Sequence, residues 1–155
     1  SRPGLVLELH EVYWRSFYDA MELNGAAIEL LLRLQERNLR LGLVSNHVTL
    51  PQLGKIRQLG LEAYFPVVVT SEEAGADKPD PALFGIALKR LGVPARESIF
   101  VGDDEEKDMK GASLAGMTTI LTTEYSGRAD PSSVADYRVG QLAEVLSVIL
   151  QVSEE

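Results

Sequence analysis

Three short segments hold side chains that could work together on an oxyanion and a metal ion. The first is Ser45-Asn46, directly after Leu43-Val44. A hydroxyl and an amide at the end of an apolar run can hold an anionic oxygen by hydrogen bonds, with a helix opening at Pro51 just beyond. The second is Lys78, within Ala76-Asp77-Lys78-Pro79-Asp80-Pro81. A residue before proline is pushed into an extended conformation, so Lys78 can point inward as a fixed positive charge for a phosphoryl group. The third is Gly102-Asp103-Asp104-Glu105-Glu106-Lys107-Asp108. Asp103 falls at a strand tip and Asp108 about one helical turn further on, so both carboxylates could face one cation. Mg2+ takes one or two carboxylates beside phosphate and water oxygens.

Each segment also has a plain structural reading. Ser45-Asn46 can be a capping turn, and Lys78 a solvated surface lysine. Acids at a helix N-terminus are favoured by its dipole, which describes Glu105 and Glu106. Asp103 is less easily explained in this way, because it ends a buried strand. What favours chemistry is the order: hydroxyl, lysine, acid cluster, each at the carboxyl end of a strand, where open α/β sheets bind their ligands.

The elements that must position these groups are readable from periodicity. Leu41–Ser45, Val67–Thr70, Ser98–Gly102 and Thr118–Leu121 are nearly continuous apolar runs, as expected of strands in a parallel sheet covered on both faces. Between them lie helical patterns. Asn24 can cap a helix running to Arg37 with Ile28, Leu31, Leu32 and Gln35 on one face. Pro51 opens a second helix, closed by Gly60. Asp80-Pro81 starts a third, lined by Phe84, Leu88 and Leu91 and stopped by Gly92. A fourth runs from about Glu106 to Ala115. A last strand, Tyr137–Val139, leads into a helix from Gln141 to about Val152. Thr122–Ser133, with Gly127 and Pro131, is the longest loop. This alternation predicts an α/β protein with a Rossmann-like, doubly wound parallel sheet.

Residues 1–23 stand apart from the core expected over residues 24–155. Leu5, Leu9, Val12, Ser16 and Ala20 recur at helical spacing, with Tyr13 and Phe17 alongside. They describe an amphipathic helix, not a first strand. Its apolar face, with Trp14 and Phe17, is expected to pack on the core; a contact with a further helical segment or self-association are the other readings.

The 155 residues suit one compact domain. A net charge of −8 argues against nucleic acid as a partner, and no apolar run is long enough to span a bilayer. Zero cysteines remove disulfide, thiolate and zinc-thiolate chemistry, and a cytoplasmic location fits.

The segments GLVSN (42–46), SEEAGADKPDPALFGIALKRLGV (71–93) and VGDDEEKDMKGASLAGM (101–117) resemble motifs II, III and IV of the haloacid dehalogenase (HAD) superfamily. The likeness extends over about Asn24 to Ile149. It implies a HAD-like core and Mg2+-dependent hydrolysis, most often of a small phosphate monoester through an aspartyl-phosphate. By the resemblance, Ser45 binds a phosphoryl oxygen with Asn46 beside it, and Lys78 neutralises phosphoryl and nucleophile. Asp103 ligates Mg2+, and Asp108 completes or orients that acidic site. Lys107 stands where relatives often have Asn.

One departure is large. The family's first motif is a strand ending in Asp-x-Asp, and nothing of that form precedes Ser45. The nearest shape, Leu5-Val6-Leu7-Glu8-Leu9-His10-Glu11, puts Glu8 and His10 in the aspartate slots. Glutamate is a methylene too long for that geometry. The segment better resembles the end of the family's helical cap. The core is therefore expected to be truncated at its N-terminus, without motif I and most of the cap. The missing strand would lie between those ending at Ser45 and Gly102, leaving two unpaired edges. We expect the slot to be filled by residues 4–9, by a second copy of the chain, or by sequence upstream of Ser1.

Other functions fit less well. A non-catalytic module binding phosphate and Mg2+ needs no Asp-x-Asp. A phospho-acceptor receiver domain has its acidic pair first and its lysine last, whereas the order here is Ser45, Lys78, Asp103. Dehalogenase and phosphonatase chemistries share the same core.

Overall fold

The computed structural model describes residues 2–125 and 133–153. The expected loop around Gly127 and Pro131 lies largely outside them. Among the described residues seven α-helices and five strands follow in the order α1 (Pro3–Asp19), α2 (Gly25–Glu36), β1 (Gly42–Ser45), α3 (Thr49–Gln58), β2 (Val67–Thr70), α4 (Ser71–Ala74), α5 (Pro81–Leu91), β3 (Ile99–Gly102), α6 (Lys110–Leu114), β4 (Thr118–Thr122), β5 (Tyr137–Val139) and α7 (Val145–Val152). A single π-helical turn, Glu105–Met109, precedes α6. The expected fourth helix is thus a π turn continued by an α turn.

Every strand pairing among the described residues is parallel, and these pairings form two sheets, β1-β2 and β3-β4-β5. In the first, Gly42 faces Val67 and Ser45 faces Thr70. In the second, Ile99 faces Thr118 and Gly102 faces Leu121, while β5 pairs with β4 from Ile120–Tyr137 onward. No ladder hydrogen bond joins β1 to β3 among the described residues. Both sheets nevertheless share their cores. Leu41 packs with Ile99, Val101 and Ile120 around Leu34 and Val145 on one face. Val44 and Phe100 pack around Leu83, Phe84 and Ala112 on the other. Such burial on both faces is why these strands read as unbroken apolar runs.

Local chemistry sets the helix starts and stops. The side chains of Asn24 and Asp80 accept from the N–H groups of Ala26 and Ala82, capping α2 and α5. Gly92 ends α5 in the left-handed region, φ 66°, which a side chain would disfavour. Helix α3 begins at Thr49 rather than Pro51, placing the proline inside its first turn, where the missing N–H has no partner to lose.

Residues 4–9 belong to α1, the helix that their spacing predicts, and of the three candidates for the position between β1 and β3 they are the one set aside. Two expectations are corrected. Helix α1 has no buried residue, and Leu5, Leu9, Val12, Tyr13 and Phe17 are exposed, so core packing does not describe it. Its contact is with α3, where the Tyr18 hydroxyl donates to the Pro51 carbonyl. In α2 the buried face carries Leu30 and Leu34, whereas Ile28 and Leu32 are exposed. Apolar residues occupy two sides of this helix, and packing on α7 chooses between them. No helix among the described residues is long and apolar enough to cross a membrane.

Candidate active site

Two of the three segments singled out in the sequence sit directly at the carboxyl ends of their strands, and the third lies beyond a short helix. Ser45 ends β1, Thr70 ends β2, and Gly102 ends β3, delivering Asp103 to its tip. Lys78 lies in the turn between α4 and α5, followed by a cis peptide bond to Pro79.

Lys78 draws the segments together. Its Nζ lies 2.6 Å from Asp108 Oδ1 and donates to the Val44 carbonyl at 3.2 Å, so one ammonium spans the ends of β1 and β3. The pair is largely out of solvent, with side-chain exposure of 12% for Lys78 and 7% for Asp108. The ammonium also lies 5.7 Å from the centre of the Phe100 ring. A buried charge needs such partners, because desolvation of an isolated one is costly.

At its other end Lys78 is held by Asn46. Asn46 Oδ1 accepts from the Lys78 N–H at 2.7 Å, and its Nδ2 donates to the Lys78 carbonyl at 3.0 Å. Ser45 therefore lies between two residues that both bond Lys78.

Asp108 is held as firmly. Its Oδ2 accepts from the backbone N–H groups of Asp103 and Asp104, each at 3.3 Å. A Cβ on Gly102 would lie 2.7 Å from both Cβ and Cγ of Asp108, so the carboxylate packs where a side chain would stand. That close approach is the reason for glycine there.

The Asp103 side chain is exposed. Asp104 caps the π turn by accepting from the Lys107 N–H at 2.9 Å, and the Lys107 ammonium reaches it at 3.0 Å. Burial pushes the Asp104 carboxyl up, but the N–H and ammonium of Lys107 and the N–H of Glu106 together hold it below its usual range. Lys107 is raised in return, chiefly by its hydrogen bond to Asp104. No group of three or more potential metal-ligating side chains converges among the described residues. Of the two carboxylates expected to face a cation, Asp103 is exposed, whereas Asp108 has Oδ1 bonded to Lys78 and Oδ2 to two backbone N–H groups.

Sequence reasoning missed several supports. The Val44 carbonyl carries no signal of its own, and Phe100 reads only as a strand residue. Thr70, fully buried, bonds Thr49 hydroxyl to hydroxyl at 2.6 Å, and the Thr49 N–H donates to Glu72. These bonds fix the turn after Ser45 to the end of β2. His47 accepts from the Val48 N–H and lies 2.9 Å from Lys55 Nζ, beside a cavity of about 340 Å³ bordered by Glu72 and Asp77.

A parallel α/β core with polar groups gathered at its strand ends is a Rossmann-like arrangement, in which ligands bind beyond the carboxyl ends of the strands. The sequence matches a family model described as haloacid dehalogenase-like hydrolase over residues 8–122. The chain belongs to that family. It is 36% identical over 156 residues to a ribulose-1,5-bisphosphate 5-phosphatase of Halopiger xanaduensis, covering 96% of this chain and 65% of the relative. A glyceraldehyde 3-phosphate phosphatase of Methanocaldococcus jannaschii is 35% identical over 130 residues, with 83% and 57% covered. The chain thus spans less than two thirds of these curated relatives. The crystal structure of a HAD phosphatase from Thermococcus onnurineus superposes with a TM-score of 0.82 at 29% identity, covering 90% of this chain and 64% of the other.

Proposed function

We propose that this chain supplies the phosphoryl-binding side of a phosphatase acting on a small phosphate monoester, by way of an aspartyl-phosphate. The observation that supports it most is the Lys78 ammonium, held between the Val44 carbonyl and Asp108 beside the end of β1. In this reading the Ser45 hydroxyl donates to a phosphoryl oxygen, and Lys78 offsets the negative charge of the transferring group. Asp108 keeps the Lys78 side chain aimed. Asp103, exposed at the tip of β3, offers its carboxylate to Mg2+, with Asp108 orienting that acidic site. Bound there, Mg2+ would neutralise charge on the phosphoryl oxygens. Both curated relatives are named for small phosphorylated sugars or trioses, which agrees with a small phosphorylated metabolite as substrate. The absence of cysteine agrees with a cytoplasmic setting.

The test is Mg2+-dependent phosphate release from an aryl phosphate by the protein expressed from its complete reading frame. Lys78→Met and Asp103→Asn should each lower turnover about 100-fold or more. No turnover with both residues intact would overturn the reading.

A second reading, a non-catalytic module that binds phosphate and Mg2+, is favoured by one observation. Glu8 and His10 lie exposed on α1, and His10 packs edge-on against Trp14. That segment therefore offers no attacking carboxylate at the strand ends. This reading expects phosphate binding without turnover in the same assay.

A further inference from the structure

The Asn46 amide carries one acceptor and two donors, and it engages the main chain of a residue 32 positions away with one of each. Oδ1 takes the Lys78 N–H and Nδ2 gives to the Lys78 carbonyl, as a neighbouring strand's peptide group would. Lys78 sits in a turn, where no strand among the described residues serves these two partly buried groups, and backbone groups withdrawn from water need partners. Asn46 follows β1 directly, and β1 is locked in register on β2 through Ser45 and Thr70.

Lysine is a poor positioning device by itself, since its long stem has many rotamers to lose. Here both ends of the residue are tied to the same place. Its main chain is held by Asn46 and its ammonium by Val44 and Asp108, with Ser45 between the two attachments. We infer that Asn46 is a positioning residue that acts on the phosphoryl group through Lys78, not a direct ligand of that group. This rests on the phosphoryl-binding reading of the site, and it goes further by assigning the amide a partner and a direction of action. The competing assignment is open to test, because Nδ2 has a second N–H that a direct ligand would use.

The experiment is a double-mutant cycle on the protein from its complete reading frame, with inorganic phosphate as the probe and calorimetric titration as the readout. Asn46→Ala should weaken phosphate binding about tenfold. In a Lys78→Met background the same change should have an effect within about twofold, because residues acting through one another are not additive. A second readout needs no ligand: the NMR cross-relaxation between Lys78 ε protons and Asp108 β protons should fall several-fold in Asn46→Ala. A further loss of fivefold or more in the Lys78→Met background means that Asn46 touches the anion itself and overturns the inference. So does unchanged Lys78–Asp108 cross-relaxation in Asn46→Ala. If the wild type binds no phosphate, or Lys78→Met binds it equally well, the phosphoryl reading falls, and the cross-relaxation alone upholds or overturns the coupling of Asn46 to Lys78. Should Asn46→Ala not fold, Asn46→Gln, one methylene longer, replaces it in both measurements with the same criteria.

Discussion

Lys78 and Asp108 stand 30 residues apart in the chain and 2.6 Å apart in space, and they form the most enclosed ion pair among the described residues. Lys78 comes from a turn beside the first sheet and Asp108 from the π turn after the second. With no strand pairing between β1 and β3 among the described residues, this bond and the shared apolar cores join the two sheets.

Breaking that pair from one side should therefore cost more than a surface ion pair does. Asp108→Ala leaves a lysine with little solvent and no carboxylate, and should lower stability by about 3 kcal/mol. Lys78→Met leaves Asp108 with two backbone donors and should cost somewhat less. Urea unfolding of the two variants and the double variant reads the coupling. A loss below about 1 kcal/mol for Asp108→Ala would show that the pair behaves as a solvated one.

Gly102→Ala should be destabilising although the residue sits at a strand end. The new methyl meets the Asp108 side chain 2.7 Å away, so the carboxylate or the strand end must move. Overpacking of this kind costs about 1–3 kcal/mol. The same variant should weaken the Lys78–Asp108 contact, measurable by the cross-relaxation described above. A neutral effect on both stability and contact would contradict the packing.

Helix α2 offers a comparison of two leucines two residues apart. Leu34→Ala empties a buried site and should cost about 2–4 kcal/mol, whereas Leu32→Ala should stay within about 1 kcal/mol. Equal losses in chemical denaturation would mean that the helix presents a different face.

The Asp104–Lys107 pair predicts a window of pH. The Asp104 carboxyl is held below its ordinary 3.8 and the Lys107 ammonium above its ordinary 10.5. A depressed carboxyl contributes stability above its unfolded pKa and loses it as pH falls through the folded value. A raised ammonium contributes below 10.5 and loses it as pH rises through its folded value. Asp104→Asn keeps an acceptor for the Lys107 N–H but removes the charge. Its melting temperature should fall short of wild type by about a degree or two near neutrality. That gap should close toward strongly acid and strongly alkaline pH. A gap constant across the range would assign the effect to capping instead of charge.

Much of this was legible before any coordinates. The strands, their carboxyl-end polar groups and the capping residues Asn24 and Asp80 follow from periodicity and local hydrogen bonding, which act over a few residues. Ser45, Lys78, Asp103 and Asp108 were marked by type and spacing for the same reason. What failed did so where two local solutions were equally good. Helix α2 has apolar residues on two sides, and α1 has an apolar stripe without a partner among the described residues to cover it.

The amino-acid sequence alone determined which residues end the strands and that motifs II to IV of a HAD-like core are present. Those properties are encoded in short stretches. Only the tertiary structure decided that Asn46 grips the Lys78 main chain, that Asp108 spends one oxygen on Lys78, and that Gly102 is a seat for a carboxylate. Each is a contact between segments whose meeting depends on how the strands are ordered in space, and no local pattern carries that order.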